Sequence, residues 1–322
     1  MKRKFALLLA VTMLLSLLFA GCSPKEQPAP QPEAPAQETT PAPVEKVSYI
    51  HDDLLVDADW LNTNLSNVIV IDARKDAEYN KGHIAGAINM PWQPFTDMEA
   101  KKPGDKGWGT LLAPEKLSAV IGGLGIDGSK TVVVYAVAPG GWGDEGRVAW
   151  TLKSAGIKDV KVLNGGFAAW ETKSYTVNKD AVKPAPVDFK IAAMDETLNV
   201  TTDYLKANLD KVKIIDTRDV DEYEGAVKFG EARGGHIPNA INITWTKLFN
   251  DDGTVKDQKA LEELLTSYGI TKNDEIVSYC TKGIRSAYMT LILKMAGYEN
   301  AKNYDSSYYE WAGNKELEVA GK

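Results

Sequence analysis

Apolar and polar positions divide the chain into stretches of different character. Residues 5–19 are almost wholly apolar, residues 23–47 carry almost no apolar bulk, and everything beyond alternates. In the alternating part, short Val/Ile-rich runs are separated by longer stretches in which apolar residues recur every three or four positions. The short runs are Val68–Asp72, Thr131–Tyr135 and Val160–Leu163, and then Val212–Asp216, Glu275–Tyr279 and Lys302–Tyr304. Continuous apolar runs of this length predict buried strands, and the longer period predicts helices packed against them. The helix after Tyr279 is predicted to be capped by Ser286 and to run as an amphipathic element through Leu291, Ile292 and Met295 to a stop at Gly297. Strands alternating with helices give an α/β fold with parallel sheets covered on both faces. Ligands of such sheets bind at the carboxyl ends of the strands.

The pattern occurs twice. Ile71-Asp72-Ala73-Arg74 aligns with Ile215-Asp216-Thr217-Arg218, and Glu78-Tyr79 with Glu222-Tyr223 at the same spacing. Gly82-His83-Ile84 matches Gly235-His236-Ile237 after an insertion in the second copy, and Trp170 matches Trp311 further on. Conserved order with compensating insertions is the mark of a duplicated domain. Two tandem domains are therefore expected, at residues 48–178 and 199–322, joined by a connector over 179–198 whose Lys179–Pro186 stretch holds two prolines.

Three positive charges before an apolar run too short to span a bilayer read as an export signal over residues 1–21. The run closes on Phe19-Ala20-Gly21-Cys22, which resembles a bacterial lipobox. That resemblance implies a lipid on Cys22, export, and anchoring to a bacterial membrane on the cell-surface or periplasmic side. Residues 22–47, rich in Pro, Ala and Glu, cannot bury enough surface to offset their ordering entropy and are expected to form a disordered tether. The formal net charge is −7, more negative still without Lys2, Arg3 and Lys4, and no basic patch points to nucleic acid.

Candidate chemistry centres on Cys280. It ends an apolar strand, is followed by Thr281-Lys282-Gly283-Ile284-Arg285, and precedes a helix. Unpaired N–H groups at a helix start, with two cations nearby, lower a thiol pKa and make a nucleophilic thiolate available at neutral pH. Cys22 and Cys280 are the only cysteines, so neither an internal disulfide nor a metal site is expected, and nothing calls for a cofactor.

Taken together, the two Asp-x-Arg pairs, the two Gly-His-Ile runs, the Cys-x-x-Gly-x-Arg loop and the turns Leu163–Trp170 and Tyr304–Trp311 resemble the rhodanese family of sulfurtransferases in its two-domain form. The resemblance implies that only the second copy is catalytic, because the counterpart of Cys280 is Ala136 and the loop after it carries Asp144 and Glu145. The first copy would then form one wall of a cleft. Cys280 would carry a persulfide, the loop residues Thr281, Gly283, Ile284 and Ser286 would surround it, and Lys282 and Arg285 would hold an anionic sulfur donor. A basic residue two after the nucleophile implies thiosulfate rather than 3-mercaptopyruvate in this family. Arg233, before Gly234-Gly235-His236, is a further substrate-binding candidate. His83 and His236, and the two Asp-x-Arg pairs, are expected to be structural because both copies have them. The acceptor would be cyanide, a thiol or a protein. Two other readings stay open: a module that carries the persulfide to a partner protein, and a phosphatase or arsenate reductase on the same fold. Those oxyanion enzymes use one more residue between Cys and Arg than the four found here.

Overall fold

The computed structural model describes residues 48–99 and 101–321. The expected export signal, the lipidation site Cys22 and the tether lie outside the described residues.

Each copy builds a five-stranded, all-parallel sheet. In spatial order the first sheet runs Leu55–Val56, Val160–Leu163, Val132–Tyr135, Ile69–Asp72, Ile88–Asn89. The second repeats that order with Asn199–Val200, Ala301–Tyr304, Ile276–Tyr279, Lys213–Asp216 and Ala240–Asn242. The central strands of both sheets are buried along their whole length, which is why they read as unbroken apolar runs. The outer strands are two or three residues long and gave no such signal.

The duplicated motifs are framework. Arg218 donates from Nε to Asp216 Oδ1 at 3.0 Å and from Nη2 to Asp216 Oδ2 at 2.6 Å, and the Tyr279 hydroxyl donates to the same carboxylate at 2.6 Å. That hydroxyl accepts from the Ile237 amide, as Tyr135 accepts from Ile84 in the first copy. Arg74, Asp72 and Tyr135 repeat the arrangement. His83 and His236 stack on Tyr79 and Tyr223 at 3.7 Å and bond their backbone carbonyls through Nδ1.

The helix after Cys280 departs from the sequence reading. It spans Ile284–Met295, and its N-cap is Gly283 in a left-handed conformation, φ 76°, three residues before the expected cap Ser286. A Cβ at Gly283 would lie 2.6 Å from the Asp305 carbonyl, so only glycine permits this abrupt entry. Nor is the helix amphipathic: ten of its twelve residues are buried. One side covers its own sheet and the other packs on the matching helix of the first copy, Asp144–Ser154. The approach is close, since a Cβ on Gly146 would meet the Tyr288 ring at 2.1 Å. Both copies therefore share one core and belong to one compact unit. The connector is also packed: Val187 N donates to Gly122 O, Ile191 N to Ser118 Oγ and Asp195 N to Ser154 O.

Glu145 lies fully inside this junction. Burial pushes its carboxyl up to about 8, the backbone N–H groups of Glu145 and Ala138 offset part of that, and the Asp144 charge adds to it. The folded state therefore holds a proton at neutral pH that the unfolded chain releases. Stability from this group is full below about 4.5 and is lost as pH rises towards 8. Glu145→Gln should remove that loss. In urea titrations the variant should gain on the wild type between pH 4.5 and 8.5 by on the order of 3–5 kcal/mol.

Candidate active site

Cys280 follows the central strand Ile276–Tyr279 and is 2% exposed. The loop that surrounds it is held from outside through its carbonyls. Cys280 O accepts from Tyr308 N at 3.0 Å and Thr281 O from Tyr309 N at 3.1 Å. Ser307, at a positive φ of 51°, turns its hydroxyl to the Cys280 amide at 3.2 Å. Because a trans peptide sets each C=O opposite the following N–H, carbonyls tied outward aim amides inward. The sulfur responds to that field. Burial alone would raise the thiol pKa, but the Arg285 guanidinium, the N–H groups of Ser286 and Lys282, and the Ser286 hydroxyl outweigh burial and hold it below the ordinary thiol value.

The two cations beside Cys280 have different surroundings. Arg285, 3% exposed, donates from Nη1 to Glu222 Oε2 at 2.7 Å and from Nη2 to Glu222 Oε1 at 2.9 Å, with a third bond to Thr281 Oγ1 at 2.8 Å. Thr281 itself donates to Glu222 at 2.8 Å. Arg285 thus reaches the thiolate by its charge while most of its donors are engaged. Lys282 makes no ion pair among the described residues. Its ammonium stands 3.9 Å from the Trp108 ring and 4.7 Å from the Trp92 ring, against the Met98 sulfur. All three belong to the first copy. Burial, and secondarily the Arg147 charge, lower the Lys282 pKa to about 8.

A cavity of about 280 Å³ opens above Cys280. Cys280, Thr281, Lys282, Ile284, Arg285, Phe229 and Tyr309 line it from the second copy, and Lys75, Trp92, Gln93, Trp142 and Asp144 from the first. Trp142 and Phe229 meet edge to face at 5.3 Å across the two copies. The first copy is a wall of this cavity. A larger hollow of about 480 Å³ around Lys153, Lys294 and Met295 is not lined by a cysteine.

One sequence candidate is placed elsewhere. Arg233 does not line the cavity; it donates to four carbonyls, Trp311, Ala312, Asn314 and Leu317, at 2.7–3.0 Å. These close the C-terminal end of the helix Ser307–Gly313, whose last carbonyls lack partners within it. Arg233 is a helix cap, and its role as a substrate contact is withdrawn. Glu222 was missed. Its Glu-Tyr motif recurs at Glu78, which is exposed, so the motif alone could not flag it. The usable signal was Arg285, a buried cation in need of a carboxylate.

The rhodanese-like domain model matches this chain twice, at residues 57–173 and 201–314. The chain belongs to the rhodanese-like family. Among similar proteins are the "Sulfur carrier protein TtuD" of Thermus thermophilus, 32% identical over 282 residues covering 82% of this chain and 95% of that one. Another is a Mycobacterium leprae protein named "Putative thiosulfate sulfurtransferase", 32% identical over 270 residues covering 80% and 94%. Among solved structures, the anaerobic ergothioneine biosynthesis enzyme from Chlorobium limicola, in complex with trimethyl histidine, superposes with a TM-score of 0.76 at 25% identity. That match covers 84% of this chain and 70% of that one. These relatives support sulfur transfer as the class of activity.

The Arg285–Glu222 pair generates a test. Glu222→Gln leaves a buried guanidinium without its carboxylate, which should cost about 3–5 kcal/mol in denaturant unfolding. The unneutralised charge should at the same time move the pH midpoint of Cys280 alkylation downward. An upward move would show that Arg285 does not act on the thiolate.

Proposed function

We propose that this protein is a thiosulfate sulfurtransferase working through a persulfide on Cys280. The observation that carries the reading is a thiol of lowered pKa on the floor of a cavity that also holds Lys282, a cation without an ion-pair partner among the described residues. The Cys280 thiolate attacks the outer sulfur of thiosulfate. A new S–S bond forms, the bond to the sulfonate sulfur breaks, and its electron pair leaves with sulfite. The persulfide anion lies among the inward amides of the loop, which stabilise charge as an oxyanion hole does. A thiophilic acceptor, cyanide or a thiolate, then takes the outer sulfur and restores the Cys280 thiolate. Lys282 binds the sulfonate end; Arg285, held by Glu222, keeps the sulfur anionic.

A second reading has its own support. The similarity to a sulfur carrier protein is as high as that to the mycobacterial protein, so the acceptor could equally be a protein that receives the persulfide. An oxyanion enzyme fits less well: only four residues separate Cys280 from Arg285, although Asp144 in the cavity wall supplies a carboxyl group.

Mass spectrometry separates these readings. After thiosulfate, the protein should gain one sulfur on Cys280 and release sulfite; cyanide should then discharge it as thiocyanate. Cys280→Ser should do neither. Loading by thiosulfate with no discharge to cyanide or small thiols would favour the carrier reading. Cys280-dependent aryl-phosphate hydrolysis without added sulfur would overturn both.

Lys282 sets the donor. Lys282→Ala should lower kcat/KM for thiosulfate by about 1–3 kcal/mol, the scale of one charge-assisted contact. In the wild type the thiosulfate KM should rise as pH passes about 8, where Lys282 loses its proton. An unchanged KM across that range, or a preference for 3-mercaptopyruvate, would remove thiosulfate as the donor.

For residues 1–47 we propose export and lipid attachment at Cys22, supported by the charged start, the apolar run and the lipobox-like Phe19–Cys22. Cys22→Ser should release active protein from the membrane fraction. Equal partitioning of both forms would refute the anchor.

A further inference from the structure

The junction between the copies is pseudo-symmetric, and its two halves differ in charge. The turn after the last strand of each sheet in chain order, Val160–Leu163 or Ala301–Tyr304, carries a residue that bonds a backbone amide of the other copy. Asn164 Oδ1 accepts from Val255 N at 2.8 Å, and Asp305 Oδ2 from Leu111 N at 3.0 Å. In repeat alignment Asn164 corresponds to Asp305, and Tyr288 to Arg147. Only the half beside the cysteine is ionic, with Arg147 and Asp305 forming a salt bridge at side-chain exposures of 0% and 4%. Arg147 also donates to Gly283 O at 3.2 Å, and its Nε and Nη2 have no hydrogen-bond partner among the described residues. A buried guanidinium with unsatisfied donors is costly to keep, and replacing such a pair by apolar residues is often stabilising. The other half of the junction shows that a neutral solution exists.

What the pair gains is control of Gly283. Gly283 closes the catalytic loop and stands at the N-cap of the helix Ile284–Met295, whose first amides have no partners within the helix. Cys280 O and Thr281 O are held by the second copy's own Tyr308 and Tyr309. The Gly283 carbonyl is instead held from the first copy, with Asn303 Nδ2 as a long second donor at 3.4 Å. The N–H groups that act on the sulfur, those of Lys282 and Ser286, flank this peptide, so holding the Gly283 C=O outward fixes the turn that carries both.

We propose that Arg147, from the copy that lacks a cysteine, is a positioning residue that completes the amide cradle around Cys280 across the domain junction, oriented by Asp305. The first copy then serves the chemistry as well as walling the cavity. Arg147 does not touch the donor; it acts through the Gly283 carbonyl. This deepens the sulfur-transfer reading and rests on it only for the turnover arm of the test.

The test uses the full chain with Arg147→Lys, which keeps the charge but ends one bond short of Nη1, the single nitrogen that bonds both Asp305 Oδ1 and Gly283 O. Far-UV circular dichroism and a cooperative melt establish folding. The first readout is the pH profile of Cys280 alkylation by iodoacetamide. The other charged groups around the sulfur, Arg285 with Glu222, and Lys282, Lys75 and Asp144 lining the cavity, are untouched by the substitution. The midpoint should rise by about half to one pH unit, because an inward amide no longer meets the thiolate. The second readout is turnover with thiosulfate and cyanide: kcat should fall about tenfold while KM, set by Lys282, stays within twofold. If Arg147→Lys does not fold, the neutral pair Arg147→Gln with Asp305→Asn, which strands no charge, is read in the same way. A folded variant with unchanged alkylation midpoint and unchanged kcat overturns the proposal. Alkylation needs no sulfur donor, so a wrong donor assignment and a wrong role for Arg147 give different results.

Discussion

The contact between Gly146 and Tyr288 governs the arrangement of the site. Two helices that each follow a central strand can pack this closely only because position 146 has no side chain, and a Cβ there would lie 2.1 Å from the tyrosine ring. That approach fixes everything presented by the N-terminal ends of both helices. It brings Trp142 and Asp144 to the cavity above Cys280 and Arg147 to Asp305 and the Gly283 carbonyl. Had the helices been spaced by ordinary side chains, the cavity would lose its wall and the loop one of its outer anchors. The site is thus a property of the junction, and the junction is a property of the hydrophobic core that both copies share.

Around Cys280 the balance of terms follows from that packing. Burial alone would keep the thiol protonated, and Cys280 is buried. Fixed amides and one guanidinium reverse it, at no reorganisation cost because they are already bonded on their far sides. Glu222 is part of the same balance. It holds Arg285 in place in a dry setting and takes up part of its charge, leaving enough to favour the thiolate. Lys282, held by aromatic faces instead of a carboxylate, keeps its charge available to an anion. The division of roles between the two cations therefore comes from their partners, one ionic and one aromatic.

This explains what the sequence disclosed. The six strands with continuous apolar runs, the duplication, the nucleophile and the lysine beside it are local features, and local pattern reveals them. The short outer strands Ile88–Asn89 and Ala240–Asn242 are specified by neighbours in the sheet and leave no pattern of their own. Glu222, Trp92, Trp108, Arg147 and Asp305 acquire their roles from residues far away in the chain, so no window of sequence contains the relation. Arg233 shows the reverse error. A cation near a family-like Gly-Gly-His run invites a substrate role, yet the carbonyls at the end of the helix Ser307–Gly313 were the stronger claim on it. The helix boundary was misplaced for a related reason: Ser286 has the chemistry of a cap, but a left-handed Gly283 starts the helix first.

The first copy's own loop bears on why a domain without a nucleophile persists. Restoring a cysteine at Ala136 would not restore a site. The position of Arg285 is taken by Asp144, whose carboxyl burial raises rather than lowers, and the next residue, Glu145, sits wholly inside the junction. A thiol there would meet acids where Cys280 meets a guanidinium, and its anion would be disfavoured. The same helix that bars catalysis in its own copy supplies Trp150 to the shared core, Arg147 to the other copy's loop and, at its entry, Trp142 to the cavity. Those contacts need the loop after Ala136 to enter the helix at Gly143, φ 77°, where any Cβ would crowd Trp245 and Tyr288. The geometry that makes the first copy a good wall and anchor is therefore incompatible with a second sulfur cradle.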